Sequence, residues 1–487
     1  MKSNITIIGS GIASLSASCY LAQAGYSVTI FEKNNTIGGR ARQLIKDGFT
    51  FDIGPTWYWM PDVFERFFSD FDKSPSDYYT LEKLNPAYSV YFGKNDFISI
   101  ENSLDKIATT FEKEEPGAGI KLKKFIKKAE NHYNIAIKDL VYNPGVSPLE
   151  LITPTTITKL NLFFSSIKRD IRKEFKNNRL AKILEFPVLF LGAKPSDTPS
   201  FYSFMNYADF GLGTFHPQKG MYQIILALEK LAKSLGVKIE TNAAVEEIIV
   251  DKRTVKGLKV NGDTYLSNIV VSGADYHHTE TLLKQPFRQY SENYWNKKTF
   301  APSALLFYVG FDKKLKHVNH HTLFFDVDFD IHSKAIYNHP KWPEAPLFYA
   351  SFPSITDSHA APEGKEAGIF LIPIAPGLTD TAELRATYFN KVLDRFELLT
   401  NQKVKDVVLF KESFCITDFI KDYNSYKGNA YGLANTLKQT AFLRPKLKSK
   451  KVKNLFFTGQ LTVPGPGVPP ALISGKLVAD LVIKHNR

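Results

Sequence analysis

The run Gly9-Ser10-Gly11-Ile12-Ala13-Ser14 limits what this chain can fold into more than any other feature. Ile5 to Ile8, just before it, reads as a buried parallel strand, and the helical pattern through Leu15, Cys19, Leu21 and Ala22 to Gly25 follows it. A second strand, Val28 to Phe31, ends at Glu32, 21 residues after Gly11. Strand, glycine turn, helix and a second strand ending in a carboxylate is the spacing of a dinucleotide-binding unit. Gly9 permits the tight turn, Gly11 lets backbone approach a pyrophosphate, and the helix that follows points its unpaired N–H groups at that negative charge. Ser14 stands where the third glycine of the pattern is usual and is small enough for close packing. Glu32 is placed to accept hydrogen bonds from ribose hydroxyls, with Lys33 beside it at the same edge.

Two further runs narrow the ligand: Ile37-Gly38-Gly39-Arg40-Ala41, and Phe51-Asp52-Ile53-Gly54-Pro55-Thr56. Paired glycines let the chain pass close to a bulky group, and Arg40 can neutralise phosphate. This combination resembles the glutathione-reductase-like flavoproteins of the amine oxidase and carotenoid desaturase group. The resemblance implies FAD rather than NAD. In that group a C-terminal segment closes the site. Here the candidate is a strand Leu455-Phe456-Phe457 delivering Thr458-Gly459-Gln460, then Pro464-Gly465-Pro466-Gly467-Val468-Pro469-Pro470 and a helix from Ala471 to Ile483. Gln460 and Pro470 depart from the family pattern, which has Ala or an acidic residue and a glycine at these places. Gly220-Met221 opens a helix to Leu235, and strands are expected near Val237, at Ala244 to Ile248 and at Ile269 to Asp275. By resemblance, Val245 lies near the adenine.

Thr356 to Gly364 resembles the TDxSxAPxG segment of bacterial carotenoid desaturases, and Phe442-Leu443-Arg444-Pro445 resembles their FRP turn. The matches run through nearly the whole chain. They imply an α/β fold: a Rossmann-like FAD-binding domain built from 1–75, 220–295 and 447–487, interleaved with an α+β substrate domain from 76–111, 196–219 and 296–446. Residues 112–195 form a helical insertion. The activity implied is removal of hydrogen from a long polyene, with phytoene to lycopene first among the conversions. The flavin takes a hydride, a neighbouring carbon loses a proton, and oxygen or a quinone reoxidises the cofactor. Glu150 is the weak candidate for an acid or base. The run Trp57-Tyr58-Trp59-Met60, directly after Gly54-Pro55-Thr56, offers aromatic surface for a flat apolar substrate.

In the insertion Leu160, Phe163, Phe164, Ile167, Ile171 and Phe175 recur at helical spacing, and Lys168, Arg169, Arg172, Lys173 and Lys176 take other faces. Two placements are open: a helix lying on an anionic membrane, where a carotene dissolves, or a core helix with a solvated basic face. The resemblance favours the membrane, and with it a peripheral position on the inner face of a bacterial cytoplasmic membrane. The net charge of +13 does not decide between partners, but no nucleic-acid-binding signature accompanies it. Cys19 and Cys415 are too few and too far apart for a disulfide framework, and no secretory leader or spanning helix is read. His317, His320 and His321 lack the nearby carboxylates of a metal site, so no metal is expected. Two rival readings share the fold: a prenyl-lipid carrier, which has no use for Glu32 and Arg40, and an FAD amine oxidase.

Overall fold

The first strand, β1 (Asn4–Ile8), is buried at four of its five positions and pairs on both edges, as a central strand of a parallel sheet must. The structure is a computed structural model that describes residues 3–151 and 165–486. After β1 come α1 (Ile12–Gln23) and β2 (Ser27–Phe31). Four further elements complete this layer: α2 (Tyr222–Ser234), β3 (Lys238–Glu240), β4 (Ile269–Ser272) and β5 (Leu455–Phe457). The sheet order is β5-β4-β1-β2-β3, all parallel, with Ile7 opposite both Val271 and Ile30. The last helix, α3 (Val468–His485), packs on α1. It begins three residues before the expected Ala471. Pro469 and Pro470 occupy its first turn, where a missing N–H costs nothing, so the proline pair starts the helix instead of preceding it.

A second sheet of seven strands is mostly antiparallel. Its order is Val408–Phe414, Ser303–Phe311, Glu366–Ile374, Phe348–Ser351, His321–Phe324, Tyr88–Gly93 and Asp96–Ile100. Ser303–Phe311 is buried at all nine positions, as befits a central strand covered on both faces. A three-stranded antiparallel sheet, Val245–Asp251, Thr254–Val260 and Asp263–Leu266, branches from the cofactor layer.

The helices Leu104–Glu114, Ala118–Tyr133, Ile167–Glu174 and Asn178–Glu185 pack into one apolar cluster with Trp59, Tyr88 and Phe186. Here the membrane-facing expectation is corrected for the residues described. Ile167, Ile171 and Phe175 are all buried in that cluster. Two of the basic residues between them are tied to the protein, Lys168 Nζ to Asp330 at 2.9 Å and Arg172 Nε to Glu185 at 2.6 Å, while Arg169 and Lys173 are exposed. The backbone N–H groups of Lys176 and Asn177 donate to Glu115. The helix starts at an N-cap, Ser166, whose hydroxyl accepts from Arg169 N, so these apolar residues answer to the core. Leu160, Phe163 and Phe164 lie outside the described residues. Among the described residues no helix is long and apolar enough to cross a membrane.

Candidate active site

Gly9 has φ of 84°, the left-handed conformation that glycine adopts without steric cost, and turns the chain from β1 towards α1. Gly11 follows in extended conformation, and a Cβ built on it meets nothing within 4 Å. The space in front of it is a cavity of about 890 Å³, near the upper end of the ~300–1,000 Å³ usual for a single ligand site. Gly9 to Ala13 line it, as do Glu32, Lys33, Gly39, Arg40, Gly54, Pro55, Thr56 and Val245, and, from the far end of the chain, Gly459, Gln460, Gly467, Val468 and Pro469. Ser14 is the one predicted cofactor residue not on this wall. It is buried in the packing of α1, where a Cβ on Gly273 would come within 2.0 Å of its hydroxyl. The close approach usually given by a third glycine is made here by Gly273, from the opposite element.

The two glycine-containing runs form one piece of structure. Gly39 (φ 56°) crosses Gly11 so closely that a Cβ would stand 3.2 Å from the Gly11 Cα. A Cβ on Gly54 would be 1.7 Å from the Arg40 carbonyl oxygen, so only glycine fits there. Asp52, two residues earlier, accepts hydrogen bonds from Met221 N (2.7 Å) and Tyr222 N (3.1 Å) and so caps α2. Burial lifts its carboxyl to about 6, against the pull of those N–H donors and of His216.

The Glu32 carboxylate accepts four hydrogen bonds: Ser10 N (2.9 Å) and Ser10 Oγ (2.7 Å) on one oxygen, Asn34 N (2.9 Å) and Asn34 Nδ2 (3.0 Å) on the other. These fill its lone-pair sites, so ribose hydroxyls would take the places of the two side-chain donors. Arg40 donates from Nη2 to Ser425 Oγ (3.0 Å) and Asn429 O (3.4 Å), while its Nε is buried with no protein partner. Burial pushes the guanidinium down and the nearby Asp275 carboxylate draws it back up. An open backbone cradle at a helix N-terminus, a carboxylate at the ribose position and a buried arginine with an unused donor fit the adenosine and pyrophosphate of FAD. Lys33 instead reaches Asn424 Oδ1 (3.3 Å) and the Lys421 carbonyl oxygen (2.5 Å).

Beyond Thr56 the same cavity turns apolar. Trp57, Trp59 and Met60 line it, together with Phe186, Phe325 and Phe348. Tyr58 points the other way, as alternate residues of an extended segment do, stacking on Phe64 at 4.2 Å and bonding Tyr79 Oη at 2.9 Å. Trp57 stacks face to face on His321, with centroids 4.0 Å apart. Glu150 is at the cavity wall, but its oxygens accept from Gly145 N (2.8 Å), Val146 N (2.9 Å) and Ser147 N (3.3 Å), which makes it the clasp of its own loop.

Some site residues have no motif signal of their own. Tyr349 and Tyr431 reach the wall from the second sheet and from a loop. Arg444 is buried, donating to Gln460 O (3.2 Å), to Leu433 O (2.9 Å) and to Asn435. The arginine of the FRP turn thus ties the C-terminal FAD-closing loop to the substrate side. His320 and His321 are buried and His317 is exposed, and among the described residues no group of three His, Cys, Asp or Glu side chains could hold a metal.

Comparison with known proteins agrees with this geometry. The family model for flavin containing amine oxidoreductases matches residues 12–483. A carotenoid 3,4-desaturase of Haloarcula japonica is 41% identical over 485 residues, spanning 99% of this chain and 98% of that protein. A 4,4'-diapophytoene desaturase (4,4'-diaponeurosporene-forming) of Staphylococcus haemolyticus is 32% identical, again over 99% and 98%. Among solved structures, an oxidoreductase from Methanosarcina mazei superposes with a TM-score of 0.65 at 17% identity, covering 98% of this chain and 100% of that one. A putrescine oxidase variant gives 0.63 at 13% identity, covering 99% of each. At such identities these two speak for the fold alone. The chain belongs to the flavin containing amine oxidoreductases, among the carotenoid desaturases, and is an FAD-dependent oxidoreductase acting on carbon–carbon bonds.

Proposed function

We propose that this protein desaturates a long acyclic carotenoid whose end lies in the aromatic part of the cavity. The observation that carries the reading is continuity: the cradle around Gly11 and the wall of Trp57, Trp59, Phe186 and Phe325 line one cavity. FAD bound in the cradle supplies the hydride acceptor that no side chain can be. The chain's own residues hold the cofactor, present a flat apolar wall to the polyene and keep water from the reacting carbons. The C3–C4 bond of a carotenoid takes precedence over the expected phytoene-to-lycopene conversion, because the relative named for that bond is 41% identical and the diapophytoene desaturase 32%.

The test is anaerobic mixing of FAD-loaded protein with liposomes carrying either lycopene or phytoene, following flavin bleaching and polyene absorption together. Bleaching by lycopene with a red-shifted polyene band supports the C3–C4 reading, and bleaching by phytoene with a lycopene-like band returns the first expectation. Bound flavin that neither can reduce refutes both and sends the search to amines. A protein that retains no flavin is a carrier.

A lipid-facing entrance fits this reading. Val146 and Leu149 are 64% and 71% exposed, and they alternate with Gly145, Ser147 and Glu150 of the cavity wall. Exposed Leu443 lies next to Phe442 of the same wall, and Lys446 Nζ joins the two loops by donating to Gly145 O (2.7 Å) and Phe442 O (2.6 Å). We place this rim against the anionic inner face of the membrane, where a quinone is within reach as electron acceptor, with oxygen as the alternative. Co-sedimentation with anionic vesicles, lost in Leu149→Asp, checks the docking. Aerobic against quinone-supported reoxidation identifies the acceptor.

A further inference from the structure

From the cavity wall at Thr56 a run of polar side chains leads through the protein to solvent. Thr56 Oγ1 and Tyr349 Oη are 2.8 Å apart, and both residues line the cavity. Tyr349 Oη is 2.7 Å from His321 Nδ1. The His321 ring lies against His320 and the His320 ring against His216, with centroids 4.5 Å apart in each pair. His216 Nε2 is 3.1 Å from Asp357 Oδ2, and Asp357 Oδ1 is 3.0 Å from His359 Nδ1. Thr56, His321, His320, His216 and Asp357 are buried and Tyr349 is half-buried at the cavity wall, whereas the His359 side chain is 54% exposed.

Stability does not account for this run. His321 Nε2 and His216 Nδ1 are buried with no protein hydrogen-bond partner, and an unsatisfied buried polar atom costs on the order of 1–3 kcal/mol. Aromatic residues of similar size would fill the space without that loss. What imidazoles add is that a neutral ring accepts a proton at one nitrogen while giving one up at the other.

We propose that the run from Tyr349 to His359 is a proton path, and that the proton lost with each new carbon–carbon double bond leaves the cavity along it. The proposal rests on the desaturase reading for the origin of the proton. When the substrate C–H bond breaks, its electron pair becomes the second bond of the new C=C. The proton goes to Tyr349 Oη as the Tyr349 hydroxyl proton moves to His321 Nδ1. No hydrogen bond joins the three imidazoles, so the onward transfers to His320, to His216 and then to the Asp357–His359 pair take place on reorientation of the rings, whose centroids lie 4.5 Å apart in each pair. The charge state of the groups along the run suits this. Burial, and then the neighbouring histidines, push His320 and His321 well down, so both rings are neutral and free to relay. Burial works to raise Asp357, but hydrogen bonds from His216, His359 N and Lys219 N hold it below the usual carboxylate range, so it stays an anion that draws the proton outwards. Asp52 faces His216 and adds a second acidic group there. The anchor of the run, Thr356-Asp357 with Thr356 Oγ1 2.6 Å from His320 Nδ1, is the start of the TDxSxAPxG-like segment. That gives the segment a role in proton movement.

The exposed end makes the path testable without disturbing the core. In FAD-loaded wild type and His359→Ala, single-turnover flavin bleaching by the carotenoid is followed in H2O and D2O, with and without added imidazole. Proton uptake on photoreduction of the bound flavin is read separately with a pH-indicator dye. The path predicts equal FAD affinity for the two proteins. It also predicts at least fivefold slower bleaching and slower dye response in the variant, a larger solvent isotope effect, and recovery of both rates with imidazole. Unchanged rates in both assays, or slowing that imidazole does not restore, overturns it. If no carotenoid bleaches the wild type, the desaturase reading fails, and the dye response alone still decides for or against the path. His216→Gln, with folding checked by flavin retention, is expected to reproduce the slowing without rescue.

Discussion

Replacing Gly475 by alanine tests how the two ends of the chain are held together at the cofactor. Gly475 lies in α3 where that helix crosses α1, and a Cβ there would stand 2.6 Å from Ala13 O, from Ser16 Cβ and from Ser16 Oγ. Ordinary contact begins at 3.4 Å, so the helices must separate by most of an ångström. Ser16 Oγ can rotate away, but its Cβ and the Ala13 carbonyl cannot. Overpacking of this kind costs about 1–3 kcal/mol. Alanine in place of glycine inside a helix contributes up to about 1 kcal/mol the other way. The net expectation is therefore a loss of about 1–2 kcal/mol, and its sign is the informative part. The damage also reaches the ligand. Gly11 and Ile12 at the start of α1 and Val468 at the start of α3 line the cavity, and Ser474, next to Gly475, holds Gly459 N at 3.0 Å. A loss of 1–2 kcal/mol of binding corresponds to roughly five- to thirtyfold weaker FAD. Flavin fluorescence quenching gives the affinity, and thermal unfolding at saturating FAD gives the stability. A Gly475→Ala protein that melts higher than wild type and holds FAD equally well would refute the claim that this contact sets the cradle.

Arg40→Met removes a charged donor set shared by the Gly39 turn and the Ser425 loop and leaves buried Asp275 without its cation, so FAD affinity should fall about ten- to a hundredfold. A dissociation constant within twofold of wild type would exclude Arg40 from the phosphate site. Asp209 is buried, bonded by Tyr88 Oη at 2.7 Å, and lifted by burial to about 7. With a folded value above the unfolded one, its contribution is full below about pH 4 and is lost as pH rises towards 7. At 1.36 kcal/mol per pH unit this is on the order of 4 kcal/mol, so Asp209→Asn should flatten the fall in denaturation midpoint between about pH 4 and 7. An unchanged slope would assign the pH dependence elsewhere. Ile171→Ala opens a fully buried site and should cost about 2–5 kcal/mol with vesicle binding unaltered. Weaker vesicle binding at unchanged stability would restore the membrane-facing assignment of that helix.

What could be read from the sequence was local and periodic. The turn at Gly9, the carboxylate at Glu32 and the strand at Leu455 to Phe457 each carry their meaning within a few residues, and the structure places them on one sheet and one cavity. Amphipathic spacing at Ile167, Ile171 and Phe175 was equally visible, but periodicity says that a face is apolar and not what covers it, and the covering helices come from other parts of the chain. Glu150 stood as a candidate acid or base on resemblance alone. Its three backbone donors depend on a turn that residue types alone do not specify. The hydrogen bonds joining Asp52 with Tyr222 and Tyr349 with His321 had no local signal, because the partners are 170 and 28 residues away.

The segment from Gly54 to Trp59 joins cofactor and substrate into one mechanical unit. Gly54 is pressed against the Arg40 carbonyl so tightly that no other residue fits, so its position follows that of the arginine that would meet phosphate. Three residues on, Trp57 lines the same cavity. Its ring is held from behind by His321, which is held by Tyr349, which returns to Thr56. The aromatic surface that would meet the polyene is thus fixed at both ends, by the cradle on one side and by the second sheet on the other. A carbon that must be kept in register with a flavin edge needs a wall positioned relative to the cofactor and not relative to the outer surface. That is why the substrate wall is continuous in sequence with the cofactor cradle.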